Sequence, residues 1–86
     1  MAKGVIRYWA AAKDAAGTAQ EPYQADTLDQ ALTAALARHA ARPSFADVLR
    51  RCSFLVSGEQ VAGWAREDVL LTDGGTIDVL PPFAGG

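Results

Sequence analysis

Residues 26–40, DTLDQALTAALARHA, hold the one long helical pattern in the chain, and strand patterns lie on both sides of it. Leu28, Ala31, Leu32, Ala35, Leu36 and Ala40 fall at helical spacing and form a single apolar stripe. Thr27 with Gln30 three residues on reads as a capping box, and Asp26 and Asp29 suit the positive helix start. Arg38, His39 and Arg42 gather at the far end, where cations are favoured, and Pro43 is expected to stop the helix. One helix with one stripe has to bury that stripe against a sheet, and the flanking segments must provide it.

They carry the right patterns. In KGVIRYWAAA, Ile6, Tyr8 and Ala10 alternate with Arg7 and Trp9, the period of a strand. AKDAAGTAQ, punctuated by Gly17, is a loop or one short turn of helix around residues 12–16. EPYQA then makes a second strand, and its Pro22 suits a sheet edge. Beyond the main helix, SFADVLRRC puts Phe45, Val48, Leu49 and Cys52 on one face of a short second helix, expected to begin at a Ser44 cap. SFLVSGEQV reads as a strand over 53–57, a turn at Ser57-Gly58 and a short return over 60–62. Trp64 and the run Val69-Leu70-Leu71 are expected to pack beneath the irregular stretch that follows, and Asp73-Gly74-Gly75 turns the chain into a last strand. In that strand Ile77 and Val79 face one way, and Thr76, Asp78 and Leu80 the other.

This order, with the first and last strands central, predicts an α+β fold of β-grasp, ubiquitin-like type: a mixed sheet packed on one main helix. A small ferredoxin-like sandwich fits less well, because it needs two long crossover helices. A chain of 86 residues can bury one modest core. Its anchors are expected to be Val5, Ile6, Tyr8, Leu28, Leu32, Leu36, Phe45, Val48, Leu49, Leu55, Ile77 and Val79. The folded domain is expected over 1–82, followed by a flexible extended tail over 83–86.

Several function classes drop out. The formal net charge is −2 with both signs spread along the chain, so no basic block marks a nucleic-acid surface. Arg38, His39, Arg42, Arg50 and Arg51 read as solvated helix faces. No apolar run is long enough to span a membrane, and Met-Ala-Lys-Gly leads straight into a strand without a signal-peptide core, so a cytoplasmic location is expected. One cysteine and one histidine cannot build an internal disulfide or a zinc site. Cys52 reads as a half-buried structural thiol and His39 as a surface residue at a helix end. The carboxylates are scattered, no nucleophile has a readable base, and the chain is a poor enzyme by itself, with no bound cofactor or metal expected.

The ending PPFAGG remains. Either it is frayed, or its bare main-chain carboxylate is the working part. Pro81-Pro82 has fixed φ values and aims the chain outward. Residues 83–86 reach about 13 Å when extended. Glycines without a Cβ can enter a channel that a side chain would jam, and a carboxylate on an unbranched carbon is the least hindered acyl centre to activate.

RYWAAAKDAAG followed by a capped helix, then FLVSGEQV, then LLTDGGTIDVLPPFAGG closely resemble the small ubiquitin-like sulfur carriers. The resemblance covers nearly the whole chain and is strongest to the small subunit of molybdopterin synthase, with the thiamin-biosynthesis sulfur carriers next. Ser57-Gly58 stands where that family often has Asn-Gly, and Gly75 stands where an acidic residue is common after Asp-Gly. The resemblance implies that a ubiquitin-activating-like adenylyltransferase uses ATP to adenylate the carboxylate of Gly86, presented by Gly85. A sulfurtransferase or other sulfur donor then makes the thiocarboxylate. The tail enters the molybdopterin synthase large subunit, where the sulfur passes to a pterin precursor. A carrier for thiamin, cysteine or a specialised sulfur metabolite, or a ubiquitin-like protein modifier, would show the same residues. Binding calls for an apolar face around the tail, expected from Phe83, Ala84 and Pro82 with Leu80 and Trp9, both of which alternate away from the core. The other possibility is that the chain's own loops cover Trp9 and Leu80.

Overall fold

β1 (Ala2–Tyr8) and β5 (Thr76–Leu80) come from opposite ends of the sequence and lie side by side, parallel, at the centre of a five-stranded sheet. The computed structural model describes residues 1–82. Between the central strands the chain forms α1 (Ala10–Ala16), β2 (Gln20–Ala25), α2 (Leu28–Arg38), α3 (Pro43–Arg50), β3 (Ser53–Val56), β4 (Glu59–Gln60) and a single 3-10 turn over Arg66–Asp68. The strand order is β2-β1-β5-β3-β4, every pair antiparallel except β1 with β5. This is the ubiquitin-like β-grasp arrangement, and Pro22 does sit on an edge strand.

The register explains why the sheet grips one helix. Ile6 lies opposite Ile77 and Tyr8 opposite Val79, while Phe54 on β3 lies opposite Val79. With Tyr23 and Ala25 of β2, these side chains make one buried inner face. The α2 stripe of Leu28, Ala31, Leu32 and Ala35 joins the same core. Burying Leu28 and Leu32 contributes about 1.5–3 kcal/mol each, and the alanines, which bury much less, let the helix approach closely. Thr27 caps the helix as expected, its Oγ1 accepting from the Gln30 amide at 3.2 Å, while Gln30 Oε1 accepts from the amide of Asp26, one residue before the cap, at 2.9 Å.

Four local expectations change. The stretch after Trp9 is a seven-residue helix, packed through Ala12, Ala15 and Ala16 and closed by Gly17 at φ 74°. Ala10 therefore belongs to a helix rather than to the strand. Pro43 does not end α2, which stops at Arg38 with His39 as its C-cap. Pro43 instead opens α3 at its first turn, where its fixed φ and missing N–H suit the helix, so Arg42 rather than Ser44 takes the cap position. The return strand is Glu59–Gln60, with Val61 buried just beyond it.

Leu36 leaves the predicted core and is exposed, and Leu55 lies on the outer sheet face, with Phe54 taking the inward position. Val69 and Leu71 pack inward as expected, while Trp64 and Leu70 stay exposed. No helix among the described residues is long and apolar enough to cross a membrane.

Candidate docking face and tail root

The outer face of the sheet, opposite the helix, carries Arg7 and Trp9 from β1 and its end, Asp78 and Leu80 from β5, and Leu55 from β3. Arg7 pairs with Asp78 in register, and Leu55 flanks Asp78 from the other side. The ladder continues one step past β1, because the Trp9 amide donates to the Val79 carbonyl at 3.3 Å. Alternation then sets Trp9 beside Leu80, at the end of the sheet where the chain leaves for its tail.

Asp78 holds this face together. Its carboxylate accepts from Arg7 Nε at 2.7 Å and Arg7 Nη2 at 2.8 Å, a two-pronged pair, and from Trp9 Nε1 at 2.9 Å. The residue is only 5% exposed, in the middle of a solvent-side face. The Arg7 bonds hold its carboxyl below the usual carboxylate range, and the indole donor adds to this against the opposing effect of burial. In the sequence Asp78 is one of several scattered carboxylates with no readable partner. The signal was present in principle, since Arg7 and Asp78 are opposite charges in two apolar strands, but only the register makes them partners.

The residues expected to meet a partner divide as follows. Trp9 is 49% exposed, Leu80 is half-buried and Pro82 is exposed. Leu80 is therefore covered in part, while about half of Trp9 is free. Pro81 is buried in a small cleft with Ala11, Val48 and Arg51, which anchors the root of the tail on α1 and α3. Phe83, Ala84, Gly85 and Gly86 lie outside the described residues.

A second polar cluster sits on the inner face at the β2 edge. Glu21 accepts from the Tyr8 hydroxyl, from Arg38 Nε and, at its second oxygen, meets His39 Nε2, each at 2.6 Å. His39 is thus no free surface residue: its ring is 14% exposed and packs against Phe45. Burial pushes the Glu21 carboxyl up, but the three side-chain bonds and the Arg38 charge outweigh it and leave it below the ordinary range. Burial and the bond to Glu21 push the Tyr8 phenol far up. The cluster ties the C-terminal end of α2 to the sheet.

Cys52 follows the structural reading. It is half-buried, its thiol donates to the Val48 carbonyl at 3.1 Å, and burial pushes its pKa up, away from a reactive thiolate. Among the described residues no group of His, Cys, Asp and Glu side chains could hold a metal.

A family model described as "ThiS family" matches residues 6–86. No curated protein matches the chain in sequence. Solved structures match it in fold. The small archaeal modifier protein 1 of Methanosarcina acetivorans superposes with a TM-score of 0.81 at 21% identity, over 100% of this chain and 98% of that one. A putative molybdopterin converting factor subunit 1 from Pyrococcus furiosus superposes with a TM-score of 0.77 at 20% identity, over 96% and 100%. The complex of subunits 1 and 2 of the molybdopterin-converting factor from Helicobacter pylori contains a chain that matches with a TM-score of 0.68 at 21% identity, over 98% and 99%.

Proposed function

This chain belongs to the ThiS family and has its ubiquitin-like sulfur-carrier fold, and on that basis we propose that it carries sulfur on its C-terminal glycine for molybdopterin synthesis. The observation that carries the reading is that the family match runs through the whole Gly-Gly tail to residue 86. The fold acts as a handle. A ubiquitin-activating-like adenylyltransferase spends ATP to turn the Gly86 carboxylate into an acyl-adenylate, because a free carboxylate is a poor electrophile. Sulfur delivered at the sulfide level attacks the acyl carbon, the C–O bond to AMP breaks as the C–S bond forms, and the resulting thiocarboxylate on Gly85-Gly86 passes through a narrow entry into a larger subunit. Trp9, Leu80 and Pro82 supply the apolar surface beside that entry, and Phe83, which lies outside the described residues, is proposed to meet the partner with them. The likeness to a putative molybdopterin converting factor subunit 1, and to a chain in a complex of subunits 1 and 2 of that factor, supports the choice of pathway.

Reconstitution tests it. The thiocarboxylated chain is mixed with a molybdopterin synthase large subunit and the pterin precursor. A stable complex and sulfur transfer to the precursor are expected; neither forms if the chain serves another pathway such as thiamin or cysteine. The likeness to a small archaeal modifier protein favours a second reading, in which Gly86 is joined to a lysine amine.

A further inference from the structure

Nothing in the periodicity of β5 asks for a carboxylate at residue 78. A carboxylate buried to this degree is costly unless its oxygens are bonded, and here Arg7 and Trp9 bond both of them. The two donors are long side chains standing on the same outer face, and both surrender rotamer freedom to reach Asp78. Yet the Trp9 ring stays half exposed and the Arg7 side chain 43% exposed. An exposed indole that must be ordered on binding weakens a complex; one already held does not.

We propose that Asp78 is a positioning residue for docking: it fixes the Trp9 indole and the Arg7 guanidinium as a preformed plate, beside Leu80, for the protein that receives the tail. The inference rests on the sulfur-carrier reading. The occupant follows from reach. Pro82 is exposed two residues past Leu80, and residues 83–86 span about 13 Å at most. A partner that takes Gly86 into a channel therefore rests against this end of the sheet. Its surface offers an apolar recess for the indole and a hydrogen-bond acceptor for Arg7 Nη1, which has no acceptor among the described residues. Because Arg7 already neutralises Asp78, the partner buries no unpaired carboxylate.

The test is a double-mutant cycle on the full chain with Asp78→Asn and Trp9→Phe, measuring affinity for the molybdopterin synthase large subunit by calorimetry. Asp78→Asn keeps the shape but turns one acceptor into a donor; Trp9→Phe keeps a ring and removes the indole N–H. Each single change is expected to weaken binding about three- to tenfold, and the double change less than the two losses combined. In the free protein, the Trp9 indole N–H resonance moves toward that of the exposed Trp64 in Asp78→Asn. Fully additive losses, or unchanged affinity in Asp78→Asn, overturn the inference. If Asp78→Asn fails to fold, Trp9→Phe decides, since it alters a half-exposed side chain; unchanged affinity there also overturns it. If the wild-type chain binds no large subunit, the molybdopterin reading falls, and the same cycle against the adenylating enzyme decides the role of Asp78 by the same criteria.

Discussion

The Tyr8 hydroxyl donates to the Glu21 carboxylate at 2.6 Å, joining the central strand β1 to the edge strand β2 across the inner face of the sheet. Tyr8 is 2% exposed, so its phenol has no route to water if Glu21 is lost. Tyr8→Phe is expected to lower stability by about 1.5–3 kcal/mol, the range for a hydrogen bond to a charged group. Urea unfolding measures it, and activation of the tail should be unchanged.

Acid should unfold the protein through Glu21 and Asp78. Both carboxyls lie below their ordinary values in the folded chain, so the unfolded chain takes up protons first as pH falls. Their contribution to stability is fully present above the ordinary carboxylate range and is lost as pH falls through it and on toward the lower folded values. The urea midpoint is expected to drop below about pH 5, and Asp78→Asn to flatten part of that drop.

Ser57 occupies a left-handed backbone position, φ 50°, in the two-residue turn with Gly58 at φ 83° that joins β3 to β4. Two positive φ values in a hairpin turn favour Asn-Gly, because asparagine tolerates this region and serine does so at a cost. Ser57→Asn is expected to raise stability by up to about 1 kcal/mol, read as a higher thermal midpoint. No change, or a loss, would mean the turn is held by contacts other than its own backbone preference.

Phe83→Asp is expected to weaken binding to the large subunit while leaving the thermal midpoint within a degree or two of wild type. A variant that binds normally would remove Phe83 from the docking surface.

How much was readable before the structure differs between its two faces. The inner face was legible because burial imposes period: Ile6, Tyr8, Ile77 and Val79 alternate, and Leu28, Ala31, Leu32 and Ala35 repeat at helical spacing. The helix after Trp9 is hard to tell from a loop in the sequence, because it buries only alanines, whose stripe carries little hydrophobic contrast. Pro43 is ambiguous in the sequence, because proline suits the stretch just after a helix and the first turn of a helix equally well, and here it only opens α3. The outer face was legible only in part. Trp9 and Leu80 stood out as apolar residues on the wrong side of the alternation. Asp78 did not, because its partners Arg7 and Trp9 lie some seventy residues away and meet it only through the parallel register of β1 and β5.

The central claim is that the reactive group is the acyl end of Gly86. Intact-mass measurement after incubation with ATP, an adenylating enzyme and a sulfur donor tests it most directly. The account predicts that the chain gains the mass difference between sulfur and oxygen, located at Gly86 by fragmentation, and that a chain with one residue added after Gly86 does not. An unmodified C-terminus, or sulfur gained equally by the extended chain, would contradict it.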